Sequence, residues 1–427
     1  VKVEKGYSVY EEGVKNNYFC KGEDGEPFVV GVWPGDSVFP DFLNSKAREW
    51  FGSNYKTLLD CGIEGFWNDM NEPSVFYSKK NLAKTIEHIS GKAGKNLSLQ
   101  EFWSITGAVA TLANNPEDYA SFYHDADGKQ IRHSEVHNLF GYNMVRSASE
   151  YFKEYDDKKR FLIYSRSSHI GMHRYGGIWT GDNASRWEHL LMNLKMLPSL
   201  NMCGFLYAGA DIGGFGQDTT EDLILRWLAL GIFVPLLRNH CTFGARRQEF
   251  YLFENKKAIK NLLDLRYSLI PYLYSEYVKS ALRGELLYTP LGFLYPNDGR
   301  AKEIEDQLFV GGSIMIAPVY RQNEKGRLVY LPESMKMVKI KSVTDYREKV
   351  LPRGDHYIEI GFDETVFFIA PGKALPLANP VSHVEELDDK NFLWLKNSEG
   401  EVDYELYTDD GVTADIRFEN IKTIKVK

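Results

Sequence analysis

The stretch Gly65-Phe66-Trp67-Asn68-Asp69-Met70-Asn71-Glu72-Pro73 decides the fold class. A short β-prone run ends abruptly in a carboxylate and a turn. Side chains alternate along a strand, so Trp67 and Asp69 share one face. The stretch Gly176-Gly177-Ile178-Trp179-Thr180-Gly181-Asp182-Asn183 repeats this arrangement, with a carboxylate soon after a tryptophan at a strand end. Similar runs at 160–165, 205–210 and 232–237 lead to Arg166, Asp211 and His240. Each is followed by a longer amphipathic stretch, the α/β signature. Parallel strands that gather polar residues at their C-terminal ends predict a (β/α) barrel or a doubly wound sheet. A dinucleotide fold is disfavoured, because no G-x-G-x-x-G is present and Gly213-Gly214-Phe215-Gly216 has the wrong spacing.

Outward from these strands the texture changes twice. The segment 74–133 is too long for a plain βα loop and is expected to fold as an insert over the barrel mouth. A helix is predicted to resume near 134–152, where Val136, Leu139, Phe140, Asn143 and Met144 approximate one stripe. Beyond about residue 284, short β-type runs at 307–319, 327–331, 357–360, 365–369 and 402–407 alternate with turn clusters such as Asp409-Asp410-Gly411. The domains expected are a catalytic barrel portion at 1–285, a proximal C-terminal β domain at 286–365 and a distal one at 366–427.

Composition narrows the class. With 427 residues, 43% hydrophobic and 26% charged, the chain has the make-up of a globular protein of two to three domains, and disordered or fibrous classes are excluded. The net charge of -8 and the absence of a Lys/Arg block argue against a nucleic-acid partner. The longest apolar run, 231–237, is far below a membrane span, so no membrane partner is expected. Cys20, Cys61, Cys203 and Cys241 are widely spaced and read as thiols. A cytoplasmic location is the working expectation.

Two carboxylates facing one site are what glycoside hydrolysis needs, one to attack or stabilise an oxocarbenium-like centre and one to protonate the leaving oxygen. Aromatic faces beside them suit a sugar ring. Each residue also has a structural alternative. Asp69 and Asp182 could be turn or N-cap residues, Arg166 an ion-pair partner, and His240 a satisfied polar histidine. No cofactor and no metal is expected. His169 and His173 stand four apart but lack an acidic neighbour, and Asp125-Ala126-Asp127-Gly128 reads as a β-turn because the terminal bidentate Glu of a calcium loop is missing. A serine hydrolase lacks its G-x-S-x-G elbow.

At these residues the chain resembles the family 31 glycoside hydrolases, the retaining α-glucosidases. The likeness runs from Gly6-Tyr7-Ser8-Val9-Tyr10 through Trp33-Pro34-Gly35 and Phe39-Pro40-Asp41-Phe42 to Asp409-Asp410-Gly411. Its most specific motif, Trp67-Asn68-Asp69-Met70-Asn71-Glu72-Pro73, favours the glucosidase branch over the xylosidase branch. The resemblance implies Asp69 as nucleophile and Asp182 as acid/base. It implies Arg166 and His240 as ligands of sugar hydroxyls, and Trp67, Met70, Trp179 and Phe215 as the apolar wall. Asp211 is similar to the aspartate that steadies the arginine and the acid. Glu72 is the rival to Asp69 within the motif, but it lies past the strand end and suits a supporting hydrogen-bond role better.

The expected fold is therefore a (β/α)8 barrel lacking its first strands, with an insert over the mouth and C-terminal β-sandwich domains. Five complete strands plus a stub can be counted, where a closed barrel has eight. The chain is expected to be the C-terminal two thirds of the enzyme, held by a complementary N-terminal fragment, with a second copy of itself as a further candidate partner. The expected activity is release of glucose from the non-reducing end of α-glucoside oligosaccharides. The alternatives are a transglucosidase, an α-xylosidase, or an inactive sugar-binding fragment.

Overall fold

The computed structural model describes residues 1–427. They fall into two compact units, Val1–Gly176 and Gly177–Lys427.

In the first unit the strands Gly65–Asn68 and Leu162–Ser165 run parallel, with Gly65 opposite Leu162 and Asn68 opposite Ser165. The helix Leu139–Tyr155 connects them as a βα crossover requires. It buries Phe140, Val145, Ala148 and Phe152 and packs on the helix Ser45–Ser53. Phe152 meets Phe66 at 4.8 Å between ring centroids, so the buried face of the first strand is fixed by aromatic packing. The expected helix at 134–152 thus begins later, after a separate turn His133–Val136.

The insert is ordered by its own caps. Ser78 caps the helix Lys79–Ser90, and Ser98 with Glu101 forms a capping box on Leu99–Ala110. The hairpin Phe122–Ala126/Lys129–Arg132 turns at Asp127 and Gly128, with φ of 51° and 98°, the left-handed pair that a two-residue hairpin turn demands.

In the second unit Gly177–Trp179, Ala208–Ile212 and Leu236–Asn239 are parallel neighbours. Two expected strands are shifted. The run at 205–210 becomes Ala208–Ile212, because the N–H of Phe205 donates to Leu200 O and is used to terminate the helix Trp187–Met202. The run at 232–237 becomes Leu236–Asn239, because Ile232, Phe233 and Val234 donate back into the end of the helix Glu221–Gly231. Asp211 therefore lies inside its strand rather than beyond it.

The two units together carry five parallel strands, Gly65–Asn68, Leu162–Ser165, Gly177–Trp179, Ala208–Ile212 and Leu236–Asn239, fewer than the eight of a closed barrel. After the helix Lys256–Arg283 the second unit is antiparallel. Six strands form one sheet in the order Tyr288–Pro290, Leu308–Val310, Ile314–Ile316, Thr365–Ile369, Met335–Ser342, Asp345–Leu351. The single run expected at 307–319 is two strands, since Gly311 adopts φ 62° and turns the chain back. The strand Met335–Ser342 was not anticipated from the sequence: half-buried lysines at 336, 339 and 341 break up the apolar run around the buried Val338 and Ile340. Leu262, Leu265 and Leu269 of the long helix share one core with Ile314, Ile340 and Phe367 of the sheet. No helix is long and apolar enough to cross a membrane.

Candidate active site

In the first unit, the strand Gly65–Asn68 buries Phe66 and Asn68 and turns Trp67 the other way, where its ring lies 4.9 Å from Tyr164. Asp69 follows on the Trp67 face, with half of its side chain exposed. Its Oδ1 accepts from the N–H of Met70 at 2.7 Å and pairs with Arg166 Nη1 at 3.1 Å. The left-handed φ of Met70, 59°, turns the chain so that its amide faces back on the preceding carboxylate.

Arg166 stands at the end of the neighbouring strand and clamps Glu72. Its Nε donates to Glu72 Oε1 at 2.6 Å and its Nη2 to Oε2 at 3.2 Å, while Ser74 Oγ donates to Oε2 at 2.8 Å. Met70 Sδ lies 2.9 Å from the same Nη2. Burial pushes the Glu72 carboxyl up, but the Arg166 and Ser74 hydrogen bonds outweigh it and hold the group below its ordinary range. Both Glu72 oxygens are thus committed, whereas Asp69 commits only one. The loop is braced from behind by Asn71, whose side chain donates to Ser165 Oγ at 2.9 Å and accepts from the N–H of Ser167 at 3.1 Å. Asp69, Met70, Glu72 and Arg166 are brought together around the guanidinium. Asn71 was not singled out, although its place inside the motif was visible.

In the second unit, Asp211 is fully buried and receives a bidentate contact from Arg238, at 2.6 Å from Nε and 3.0 Å from Nη2. Burial raises the Asp211 carboxyl and the charge of Asp182 adds to that, against the lowering by Arg238 and His240; the balance is a raised pKa. Arg238, not singled out from sequence, is the residue opposite Asp211 in the parallel register. Its guanidinium lies 5.9 Å from the Trp179 ring centroid. Phe215 and His240 stack at 5.3 Å.

The exposed Asp182 sits in a loop sewn to the glycine-rich loop by Asn183. Asn183 Oδ1 accepts from the N–H of Phe215 at 2.9 Å and its Nδ2 donates to Asp211 O at 3.0 Å. Gly214 is required here, because a Cβ would meet Ser185 N at 2.4 Å. The buried Gln248 donates to the carbonyls of Ile212, Gly214 and His240, bracing the same strand ends. Asn183 lay in a quoted motif; Gln248 had no sequence signal.

His169 turns its Nδ1 to Ile170 O. The cluster Cys20, Asp41 and His124 presents ligand atoms within 4.8 Å of one another, but Asp41 Oδ1 and His124 Nδ1 stand 2.7 Å apart. That is hydrogen-bond spacing, shorter than the separation of two ligands about 2.0–2.2 Å from one tetrahedral zinc.

Parallel strands with a carboxylate–arginine pair at their C-terminal ends, followed by an antiparallel β region, have the layout of the barrel class of enzymes, whose sites gather at those ends. Residues 1–276 match the "Glycosyl hydrolases family 31 TIM-barrel domain" and residues 284–375 the "Glycosyl hydrolase family 31 C-terminal domain". The chain belongs to glycosyl hydrolase family 31. It is 35% identical over 418 residues to a Bacillus thermoamyloliquefaciens protein named alpha-glucosidase 2, covering 97% of this chain and 48% of that protein. It is 30% identical over 430 residues to the mouse lysosomal alpha-glucosidase, covering 95% and 43%. Among solved structures, the glucosidase II alpha subunit superimposes with a TM-score of 0.79 at 25% identity, over 100% of this chain and 43% of that one. A Flavobacterium johnsoniae dextranase complexed with glucose shares the fold, with a TM-score of 0.77 at 22% identity over 97% and 48%. The chain spans about half the length of the relatives it matches, or less.

Proposed function

We propose that this chain carries the catalytic carboxylates of a retaining, exo-acting α-glucosidase. The observation that supports the reading best is the division of labour around Arg166: Glu72 has both oxygens occupied, while Asp69 keeps Oδ2 without a hydrogen bond. A nucleophile needs an ionised carboxylate with an available oxygen. Contact with one guanidinium nitrogen and the Met70 amide orients Asp69 through Oδ1 and leaves Oδ2 available. The names of the relatives, several of them alpha-glucosidases, support the substrate class.

In this reading Asp69 attacks the anomeric carbon of the terminal glucose and forms a β-glucosyl ester. Asp182 gives its proton to the departing oxygen, then takes one from water as that water opens the ester. The two carboxyl groups must come within about 5–5.5 Å of each other at the sugar. Arg166 and His240 bind hydroxyls, and Trp67, Met70, Trp179 and Phe215 supply apolar faces. Asp211 acts by holding Arg238. The remaining parallel strands of the barrel would come from a complementary part of the same enzyme.

The deciding experiment compares hydrolysis of an aryl α-glucoside, α-xyloside and α-galactoside by this chain, alone and with the complementary part. Glucoside turnover abolished by Asp69→Asn supports the reading. Equal turnover of all three substrates, or an unaffected Asp69→Asn variant, refutes it.

A further inference from the structure

Behind the Glu72 loop runs an unbroken line of titratable groups that the proposed chemistry does not use. Asp41 Oδ1 lies 2.7 Å from His124 Nδ1, His124 Nε2 lies 2.9 Å from His133 Nδ1, and His133 Nε2 lies 2.9 Å from His137 Nδ1. Asp41, His124 and His133 are buried, and His137 is half-buried at the far end.

Donors and acceptors along this line fix one another. Asp41 Oδ1 accepts from the N–H of Leu43 at 3.2 Å and Oδ2 from the N–H of Asp125 at 2.5 Å, so Asp41 is an acceptor and His124 Nδ1 must carry the proton it donates. The Cys20 thiol, 3.5 Å from the same nitrogen, donates its own proton to Pro40 O at 3.6 Å and does not compete. With Nδ1 protonated on a neutral His124, Nε2 accepts. His133 is then also an Nδ1–H tautomer, and so is His137.

One added proton reverses this order. Binding at His137 Nε2 releases the Nδ1 proton of His137 to His133 Nε2, and the Nδ1 proton of His133 passes to His124 Nε2. The charge ends on His124 against Asp41, and both distal rings become Nε2–H tautomers. No bond other than N–H changes, and no electron is transferred.

We propose that Asp41, His124, His133 and His137 form a proton relay in which a single proton taken up at His137 comes to rest beside Asp41 and converts His137 Nε2 from acceptor to donor. The charged and titratable groups facing the relay are Cys20 and Asp41 at one end and Glu72 and Tyr119 at the other. Burial, with the neighbouring rings, lowers His133 to about 2, and burial lowers His137, so neither distal ring is suited to keep the charge.

The far end touches the site through Tyr119. Its ring lies 4.9 Å from His137 and 5.7 Å from His133, and its hydroxyl is 2.9 Å from Pro73 O, next to Glu72. A tautomer change at His137 alters the ring that Tyr119 packs against, and Tyr119 holds Pro73 O beside Glu72. The relay residues are thus positioning residues for the Glu72–Arg166 clamp. This consequence, unlike the proton order itself, rests on the function proposed above.

The test is the ring-nitrogen NMR of the histidine-labelled chain, titrated from about pH 8 to about pH 5. The expected result is three Nδ1–H rings at the alkaline end. On acidification His133 and His137 should exchange tautomer at one shared midpoint while His124 alone reads as imidazolium. An Nε2–H ring at high pH, separate midpoints, imidazolium at His133 or His137, or no exchange in this range overturns the relay. In Asp41→Asn the midpoint should fall by at least a tenfold increase in proton concentration; an unmoved midpoint also overturns it. If that variant does not fold, the wild-type spectra still decide. An acid limb of kcat/KM on an aryl α-glucoside that follows the NMR midpoint supports the positioning role. Absence of all glucosidase activity would count against the function and leave the tautomer result standing.

Discussion

Gly141→Ala is the sharpest probe of how the helix Leu139–Tyr155 sets the site. In a helix interior, Gly to Ala gains about 1 kcal/mol from backbone entropy and propensity. Here a Cβ would lie 2.7 Å from the carbonyl oxygen of Asn71 and 2.8 Å from Ser167 Cβ. Neither neighbour is a flexible tip: Asn71 and Ser167 are tied to each other through the Asn71 side chain. Reaching ordinary contact at 3.4 Å demands a retreat of about 0.7 Å. Overpacking of this kind costs about 1–3 kcal/mol, so the clash should win and leave the variant less stable. Gly107→Ala is the control, an exposed helix-interior glycine in Leu99–Ala110 whose added Cβ meets nothing within 4 Å. It should gain up to about 1 kcal/mol. Urea titration followed by tryptophan fluorescence reads both. Because Asn71 and Ser167 flank Asp69 and Arg166, Gly141→Ala should also lower kcat/KM about 10- to 100-fold, whereas Gly107→Ala leaves it unchanged. Two variants that shift stability in the same direction would refute the reasoning.

Asp182→Ala should lose most activity on glycosides with poor leaving groups and far less on activated aryl glycosides; equal losses would exclude it as the acid. A retaining course predicts α-glucose as the first product anomer in proton NMR, and β-glucose appearing first would contradict Asp69 as nucleophile. His133 is held neutral in the fold, at about 2 against about 6.5 unfolded, by burial and then by His124 and His137. The unfolded state therefore binds the extra proton, so stability is complete above about pH 6.5 and falls on acidification, by about 1.4 kcal/mol per unit from this group. His133→Gln should flatten that slope between about pH 6.5 and 5 in urea midpoints; an unchanged slope removes His133 as its source. Arg226→Leu should destabilise by several kcal/mol, because the buried guanidinium donates to the carbonyls of Gly361, Glu324 and Ile360; a midpoint within error of wild type would show those carbonyls find other donors.

The sequence was readable where chemistry is concentrated at strand ends. Trp67 and Asp69 alternate with the buried Phe66 and Asn68 as a strand period requires, and the expected turn at Asp125 to Gly128 closes a hairpin. What escaped was set by tertiary hydrogen bonding. The start of Leu236–Asn239 depends on amides spent on a helix end, which no local hydrophobic pattern reveals. The partner of Asp211 depends on the register between two strands. His133 and His137 stand four apart on one short helix, His133–Val136 with its cap, but His124 lies on the preceding hairpin, and only the tertiary fold brings the three into line.

The helix Lys256–Arg283 has a consequence for how such chains can be recombined. Its Leu262, Leu265 and Leu269 belong to a single apolar core with Leu194 and Leu228 of the helices beside the parallel strands, and with Ile316, Val338 and Leu377 of the antiparallel region. The buried Glu276 of the same helix accepts from the N–H of Gly312, from Lys279 and from the Tyr404 hydroxyl. The C-terminal sheets are therefore no detachable cargo. A chimaera that swaps them between relatives must carry this helix across the junction with them, or it will strand a carboxylate and expose the oily side of both partners.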